Sequence, residues 1–282
     1  MKHLLDYFAL KKNLEKSFKE SGIDDFSDID WIMVEVTGEK RSMLPFHGNF
    51  SSEETKKIMD AAQKRMNHIP IAYIFGKTNF YGYDFKVDKN VLIPRLDTEI
   101  LIEEIIKDIK LRSGETSVLD IGTGSGAIAV SIQKETGTKV TAVDISKNAL
   151  EIAKFNAEQN DAKIEFILSD LFENVKQKFD FIVSNPPYIE TETIKSLDKE
   201  VVFNEPILAL DGGEDGLEFY RKIVADAPRF LNSGGKLYFE IGYNQASSVS
   251  ELMKKDFKNI KVLKDYGNND RVVLGEKIWL KN

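Results

Sequence analysis

The chain has 282 residues, a length that suggests either two domains or one large domain. With 42% hydrophobic and 30% charged residues, its composition predicts a soluble globular protein with enough apolar side chains for a sizeable core. The absence of cysteine excludes disulfides, thiolate nucleophiles and Cys-ligated metals, and the net charge of −7 argues against a protein that mainly wraps nucleic acid.

Signals for membrane insertion and metal binding are not seen in the sequence. No stretch approaches 18 consecutive apolar residues, and the short apolar segment near the N-terminus has charged residues on both sides. The three histidines are scattered along the chain, so no metal site is predicted. We therefore expect a cytoplasmic protein with no membrane partner and no metal.

Residues 1–75 are predicted to form a small helical domain. An amphipathic helix with one buried stripe is indicated by apolar residues at spacings of three and four, namely Leu4, Tyr7, Leu10, Leu14 and Phe18. Further helices are expected around residues 30–36 and over 52–67, the second of them capped by Ser51 or Ser52. The region is nearly neutral in charge, so it is not a polybasic arm.

Residues 76–95 have the pattern of a β-hairpin that links two parts of the chain. Aromatic and aliphatic residues alternate with polar ones around Gly76 and Gly82, and Pro94 ends the segment. A helix is expected from Asp97 to about Lys110. The remaining domain is predicted to cover residues 96–282.

From residue 115 onward strands alternate with helices, which is typical of an α/β fold with a parallel sheet and helices on both faces. Helices are expected to begin at Gly126, Lys147, about Gly216 and Asn244. A short Gly-Asn-Asn-Asp turn joins the last two strands, so the sheet should end in a β-hairpin. The seven predicted strands cover residues 117–121, 139–144, 164–168, 179–184, 235–241, 259–266 and 271–278.

The first candidate binding site follows the first of these strands. There the turn Gly122-Thr123-Gly124-Ser125-Gly126 leads into a helix whose N-terminus presents unpaired N–H groups. Asp144 lies at the end of the second strand, where its carboxylate can accept hydrogen bonds from ribose hydroxyls. Gly122, Gly124 and Ala127 also satisfy the dinucleotide pattern G-x-G-x-x-A, so an NAD enzyme and a purely structural turn are open alternatives.

The charge beside this turn favours one class of cofactor. Asp120 puts a carboxylate two positions before the first glycine, where an NAD enzyme usually has apolar residues. A carboxylate there suits a ligand with an ammonium or sulfonium charge, and S-adenosylmethionine carries both. After the third strand, Asp170 can accept from an adenine amino group while Leu171 or Phe172 covers the base, although Asp170 can equally be a loop or cap residue.

The second candidate site is Asn185-Pro186-Pro187-Tyr188, directly after the fourth strand. The prolines remove backbone donors and leave carbonyl acceptors, and the Asn185 side chain adds another acceptor. Such a segment can hold a planar –NH2 group by both hydrogens, with the Tyr188 ring stacked on its plane and the nitrogen aimed at an electrophile. A rigid Asn-Pro turn without function is the alternative.

These residues resemble the class I methyltransferases that modify planar nitrogens, a group that includes adenine-N6 and glutamine-N5 enzymes. Further stretches narrow the resemblance to the release factor glutamine methyltransferase family (HemK, also called PrmC). Leu96 stands where this family often has proline, and Leu171 replaces a tryptophan seen in some members. The stretches are residues 93–99, 204–206, 209–217, 240–242 with Gln245, and 270–273.

The resemblance implies a Rossmann-like, seven-stranded class I methyltransferase domain and a helical domain that recognises the substrate. It implies N5-methylation of the glutamine in the Gly-Gly-Gln motif of peptide chain release factors, with S-adenosylmethionine as cofactor. Gly122 to Gly126, Asp144, Asp170 and Leu171 would contact the cofactor, and Asn185 would face both ligands. Pro186, Pro187 and Tyr188 would hold the glutamine amide.

Other functions stay open on the sequence alone. An adenine-N6 nucleic-acid methyltransferase shares the same site, but no basic, aromatic-interleaved segment is seen that would read DNA or RNA. We therefore expect release factors as partners, no stable nucleic-acid binding, and a monomer. A non-catalytic sensor and an NAD dehydrogenase are the remaining alternatives. Arg95 is expected either to shape the cofactor pocket or to form an interdomain salt bridge.

Overall fold

A computed structural model describes residues 6–278, which divide into two compact units. The first unit contains the described residues up to Gly76 together with the short segment Asp198–Asn204. The second unit contains Lys77–Leu197 and the described residues from Glu205 onward. The hairpin expected as a linker is thus part of the second unit, whereas Asp198–Asn204, expected in the sheet domain, belongs to the first. The predicted Leu4 lies outside the described residues.

The first unit is built from helices, as its apolar spacing predicts. The Asp6 side chain caps the first helix by accepting from the Ala9 N–H at 2.7 Å, and Ser51 with Glu54 forms a capping box at the third. A 3-10 turn over Arg41–Phe46 was not predicted. The helices are α1 (Tyr7–Glu20), α2 (Ser27–Thr37), α3 (Ser52–Met66) and α4 (Ile71–Phe75).

The core of the first unit contains one buried charge cluster. The Asp30 carboxylate accepts hydrogen bonds from the Tyr7 hydroxyl at 3.0 Å, from Lys11 Nζ at 2.8 Å and from Arg41 Nη2 at 2.9 Å. Burying a carboxylate is costly unless it is paired in this way. The cluster joins α1, α2 and the turn that follows them.

The segment Asp198–Asn204 is attached to α3 and to the turn after it. Arg65 Nη2 lies 2.7 Å from a Glu200 carboxylate oxygen, while Arg65 Nε lies 2.6 Å from Asp28 on α2. The Asn204 side chain donates to the His68 carbonyl oxygen at 2.9 Å. These contacts explain why a segment so distant in sequence belongs to the helical unit.

The second unit contains an antiparallel hairpin and a seven-stranded sheet with the order β5-β4-β3-β6-β7-β9-β8. Strands β3 to β7 are parallel, and β9 is antiparallel to both β7 and β8. The hairpin strands are β1 (Lys77–Phe80) and β2 (Tyr83–Lys86). The sheet strands are β3 (Ser117–Ile121), β4 (Lys139–Asp144), β5 (Ile164–Leu168), β6 (Phe179–Ser184), β7 (Leu231–Glu240), β8 (Phe257–Lys264) and β9 (Asp270–Lys277).

Helices cover both faces of this sheet. Neighbouring residues of β3 point to opposite faces, so Val118 joins the apolar cluster with α5 and α6, and Leu119 joins the cluster with α10 and α11. Two further short helices lie in the long loop after β6. The helices of the second unit are α5 (Thr98–Leu111), α6 (Ala127–Thr136), α7 (Lys147–Gln159), α8 (Thr191–Ile194), α10 (Glu218–Phe230) and α11 (Ala246–Met253). The remaining helix, α9 (Lys199–Asn204), belongs to the first unit.

The strand order reverses between β3 and β6, which is where open α/β sheets bind ligands. The chain continues from β3 to one side of the sheet through β4 and β5, then returns to the other side through β6 and β7. This opens a crevice at the carboxyl ends of β3 and β6. Within residues 6–278, no helix is long and apolar enough to cross a membrane and no metal-ligand cluster is found.

Candidate functional site

A cavity of about 370 Å³ opens at the crevice between the carboxyl ends of β3, β4 and β6. Both sequence motifs contribute to its wall. Of the predicted site residues, Gly126 and Tyr188 are not in the lining. Those that line it are Gly122, Thr123, Gly124, Ser125, Asp144, Asp170, Leu171, Asn185, Pro186 and Pro187.

Asp144 is bound to the glycine turn at the end of β4. Its two carboxylate oxygens accept from the Gly124 N–H and the Ser146 N–H, each at 2.8 Å. Burial raises the pKa of Asp144, and the hydrogen bonds from Ser146 and Gly124 oppose that rise. The carboxylate is therefore held at the cavity wall in a defined orientation, and its ribose-binding role stays a prediction.

Gly126 has a packing role rather than a place on the cavity wall. Its φ is +82°, a conformation that favours glycine, and a Cβ there would lie 3.1 Å from the Cβ of Ala153 on α7. A side chain at this position would push α6 away from α7. The predicted direct cofactor contact of Gly126 therefore has no counterpart in the cavity lining, while the glycine itself is required for the turn.

Asp120 lies behind the glycine turn rather than on the cavity wall. It is fully buried, and Thr123 Oγ1 donates to its Oδ2 at 2.6 Å, while Oδ1 has no hydrogen-bond partner. Burial raises the pKa of Asp120 to about 7, the Thr123 hydrogen bond opposes the rise, and the nearby Asp144 charge adds to it. Asp120 thus orients the Thr123 side chain through this hydrogen bond.

A buried asparagine, Asn156 on α7, supports the turn from another direction and was not found by sequence reasoning. Its Nδ2 donates to the Ser125 carbonyl oxygen at 2.8 Å and to the Lys86 carbonyl oxygen at 3.0 Å. Its Oδ1 accepts from the Lys86 N–H at 2.7 Å. One side chain therefore connects the hairpin strand β2 to the glycine turn. These contacts join residues far apart in sequence, so no local pattern could have indicated them.

In the segment after β5, one of the two residues proposed to cover an adenine base lines the cavity and the other does not. Asp170 is exposed and Leu171 half-buried, and both line the cavity. Leu171 has a φ of +44°, and the Ser169 hydroxyl donates to its carbonyl oxygen at 3.0 Å. Phe172 points away, stacked on Phe230 at 4.6 Å between ring centroids. Of the two alternatives, Leu171 is the one in position to cover a base.

The segment Asn185–Tyr188 is supported from below by the long loop that follows it. The Ile189 N–H donates to the Leu210 carbonyl oxygen at 3.0 Å, and the Gly212 N–H donates to the Ile189 carbonyl oxygen at 2.8 Å. A Cβ on Gly212 would lie only 2.7 Å from the Tyr188 Cα. The loop and the segment are therefore in close backbone contact.

Gln245, just before α11, connects three turns around Tyr188. Its Nε2 donates to the Tyr188 carbonyl oxygen at 2.9 Å and to the Gly216 carbonyl oxygen at 3.1 Å. Its Oε1 accepts from the Gly242 N–H at 3.0 Å. All of these atoms belong to turns at one end of the sheet, so this buried amide holds the backbone of the Asn-Pro-Pro-Tyr segment in place.

The Tyr188 ring packs against the apolar cluster that contains α10 and α11, outside the cavity lining. Burial raises the pKa of Tyr188 to about 12, with a smaller contribution from the Glu240 charge. The phenol is therefore neutral at physiological pH. Stacking of this ring on a substrate amide stays a prediction.

Part of the segment 89–98, which includes Arg95, contributes another wall of the cavity. Arg95 lines the cavity, and its guanidinium is paired with the buried carboxylate of Glu205. Both residues belong to the second unit, so the pair lies within that unit and Arg95 shapes the pocket. Phe219 and Lys222 on α10 also line the cavity.

The two curated relatives compared below have the same name. Residues 10–76 match the family described as PrmC N-terminal domain, and residues 95–201 match the family described as Methyltransferase small domain. A Release factor glutamine methyltransferase from Streptococcus pneumoniae is 44% identical over 80% of this chain and 82% of its own length. The protein of the same name from Agrobacterium fabrum is 39% identical, over 92% of this chain and 93% of its own.

The solved structures agree on the fold. A methyltransferase from Pyrococcus furiosus, 24% identical, aligns with a TM-score of 0.53 over 70% of this chain and 90% of its own. The predicted class I methyltransferase sheet is thereby confirmed. From the extent and identity of its matches to curated relatives, this chain belongs to the release factor glutamine methyltransferase family.

Proposed function

We propose that this enzyme transfers the methyl group of S-adenosylmethionine to the side-chain amide nitrogen of the glutamine in the Gly-Gly-Gln motif of peptide chain release factors. The observation that carries the proposal is that the glycine turn and the Asn185–Pro187 segment line one cavity, in a chain belonging to a family with that name. The cavity volume of about 370 Å³ lies within the usual range for small-molecule sites, roughly 300–1,000 Å³.

The residues on the cavity wall fit the cofactor. The Asp144 carboxylate at the end of β4 can accept from ribose hydroxyls, and Asp170 can accept from an adenine amino group next to Leu171. The residues from Gly122 to Ser125 let a ligand approach the backbone closely. When bound, S-adenosylmethionine supplies an electrophilic methyl group on a sulfonium. No nucleophile from the protein is then needed, which agrees with the absence of cysteine.

The Asn-Pro-Pro segment would hold and orient the substrate amide. The Asn185 side-chain oxygen and the Pro186 carbonyl oxygen can accept the two hydrogens of a primary amide, and neither proline has an N–H that would compete. The nitrogen lone pair is then directed at the methyl group, and orientation supplies most of the rate enhancement. As the new N–C bond forms, the bond between the methyl group and sulfur would break, the sulfonium would become a neutral thioether, and the amide proton would be lost to water. Pro187 and Tyr188 fix the segment that presents these acceptors.

The helical unit is assigned to recognition of the release factor. The boundaries expected from the sequence give residues 1–75 to recognition, 76–95 to the hairpin and 96–282 to methyl transfer, except that Asp198–Asn204 belongs to the helical unit and the hairpin to the sheet unit. Family membership supports this assignment, because the match to the PrmC N-terminal domain covers residues 10–76. A cytoplasmic location and a monomeric state, without stable nucleic-acid binding, complete the proposal.

Methyl transfer from tritiated S-adenosylmethionine to a purified release factor tests the proposal. We expect labelling of the release factor by the wild-type enzyme, none when its Gly-Gly-Gln glutamine is replaced, and at least a 100-fold loss of rate with Asn185→Ala. Cofactor binding by this variant should be largely retained. Ser248→Ala, exposed on α11 and outside the cavity lining, is the matched control and should keep full activity.

Two results would overturn the assignment. Robust transfer by Asn185→Ala would remove Asn185 from the site. Labelling of duplex DNA or RNA, with none of the release factor, would favour the adenine-N6 alternative, which the relatives do not support.

A further inference from the structure

Glu240 is a buried acid that lies beside the proposed substrate site and takes no part in the methyl transfer step proposed for it. It is the last residue of β7, and the pairing of Phe239 with Ser184 on β6 brings Glu240 next to Asn185. The Glu240 side chain is only 2% exposed. The Thr98 and Asn185 side chains are polar neighbours that lower the pKa of its carboxyl, and Oε2 is buried without a hydrogen-bond partner.

Opposite and like charges both face this carboxylate. Arg271 on β9 attracts it and Asp97, just before α5, repels it. Arg271 is shared, because its Nη2 lies 3.0 Å from Asp97 and 3.0 Å from Asp265. Its Nη1 donates to the Ile241 carbonyl oxygen at 3.3 Å. Arg271 therefore serves several acceptors, and its charge is not available to Glu240 alone.

Two phenols face Glu240 from the remaining sides. The Tyr220 hydroxyl on α10 donates to the Glu240 carbonyl oxygen at 2.9 Å, and burial raises the pKa of Tyr220 well above its ordinary value. Tyr188 is also neutral, as described above. Glu240 thus changes charge around neutral pH beside Asn185: burial raises its pKa to about 7, although Thr98 and Arg271 oppose the rise. Burial also raises the pKa of Asp120 to about 7, and Asp120 pairs with Val183 on β6, so Glu240→Gln is the variant that distinguishes the two carboxyls.

The charge on Glu240 bears on which end of the Asn185 amide faces the cavity. The oxygen and nitrogen of an asparagine side chain occupy nearly the same shape, and the two orientations differ mainly in hydrogen bonding. An ionised carboxylate can only accept, so it selects the orientation with Nδ2 toward Glu240 and Oδ1 away from it. A protonated carboxyl can also donate, which removes that selection.

We propose that Glu240 is a positioning residue whose ionised carboxylate binds Asn185 Nδ2 and thereby presents Asn185 Oδ1 to the cavity as the acceptor for the substrate amide. The use of this acceptor in methyl transfer rests on the proposed function. The orientation of Asn185 does not, because it depends only on groups within this chain. Two measurements separate these parts.

The first measurement needs no substrate. In 15N-labelled enzyme, the Asn185 side-chain amide signal is identified by its loss in Asn185→Ala and followed from pH 5.5 to 8.5. In the wild type we expect the signal to titrate with a midpoint near pH 7, and in Glu240→Gln we expect no titration. In Asp97→Asn the signal should still titrate, with a midpoint lower than in the wild type, because that variant removes a charge that repels the Glu240 carboxylate. An Asn185 signal that does not titrate in the wild type overturns the proposal even if Glu240→Gln fails to fold. So does one that titrates unchanged in Glu240→Gln.

The second measurement is the pH profile of kcat for release factor methylation. We expect the wild-type kcat to fall below the Glu240 midpoint and to level off about tenfold lower, at the level of Glu240→Gln. The Glu240→Gln profile should be flat from pH 6 to 8, with kcat reduced about tenfold at pH 8 and the Kd for S-adenosylmethionine unchanged. A wild-type enzyme that methylates no release factor refutes the proposed function, with the NMR titration still deciding the orientation. An active Glu240→Gln variant with the wild-type profile refutes the inference alone.

Discussion

Gly216 provides a sharp test of how the loop after β6 supports the site. Its φ is +69°, and a Cβ at this position would overlap the Tyr188 carbonyl oxygen and approach Gln245 Nε2 to 2.8 Å. Gly216→Ala must therefore displace the carbonyl that Gln245 holds. Gly137, at the end of α6, has nearly the same φ of +67° but no atom within 4 Å of the added Cβ. Gly137→Ala thus carries the same backbone strain without the collision.

The two variants separate strain from displacement. Left-handed backbone costs a non-glycine residue about 1–2 kcal/mol, so both variants should lose that much stability. Gly216→Ala also loses the Gln245–Tyr188 hydrogen bond, about 0.5–1.5 kcal/mol more. Its Tyr188 carbonyl must move by roughly 0.5–1 Å, and a misplacement of about 1 Å near reacting groups costs on the order of 100-fold in rate. We expect kcat to fall about 10- to 100-fold in Gly216→Ala only.

Urea denaturation measures the difference in the free energy of unfolding. The kcat for release factor methylation is measured where both variants retain roughly 2 kcal/mol of stability, so that more than 95% of each is folded. A Gly216→Ala enzyme with wild-type kcat would show that the close contact beneath Tyr188 has no role in presenting the substrate acceptors. Equal loss of kcat in Gly137→Ala would show that general strain, not local displacement, is responsible.

Two further predictions concern the cofactor side of the cavity and the core of the helical unit. Asp144→Asn replaces an acceptor of two backbone N–H groups, one from Gly124, by an amide with one acceptor atom, so calorimetry should give a Kd for S-adenosylmethionine about 10- to 100-fold higher; an unchanged Kd would contradict the ribose role. Asp30→Asn should lower the free energy of unfolding by about 1–3 kcal/mol at pH 7, because Lys11 and Arg41 lose a buried carboxylate. Burial alone would raise the pKa of Asp30, but hydrogen bonds from these two residues lower it below 3.8. The difference in the free energy of unfolding between wild type and Asp30→Asn should therefore persist above that pH and disappear in urea titrations at more acidic pH. A difference that stays the same in acid would contradict this prediction.

Strands β3, β4, β5 and β6 begin and end at the residues predicted from the sequence. Each is a short apolar run with turn residues on both sides, so the local pattern carries the boundaries. Strand β7 differs, since it begins at Leu231 rather than at residue 235. The Gly234-Gly235 pair looks like a turn before the strand, but Leu231 pairs with Phe179 across an irregularity in register, a contact that only the folded sheet provides.

The same distinction applies to the site. Asn185 and the glycine turn are short, chemically specific motifs at the ends of recognisable strands, so they could be predicted from local sequence. Glu240 could not, because its place beside Asn185 depends on the register of β7 against β6. Gly126 was assigned to the cofactor because it belongs to the motif, whereas its close approach to Ala153 is a contact between two helices.

The attachment of Asp198–Asn204 to the helical unit has a consequence for biosynthesis. The ribosome makes α1 to α4 first, but the ion pair of Arg65 with Glu200 and the hydrogen bond from Asn204 to His68 need residues that emerge only after four strands of the sheet. Since domains generally fold in order of their synthesis, the helical unit should fold early, before Asp198–Asn204 is available to pack against it. The part of the chain that is translated first is thus the part that is completed late.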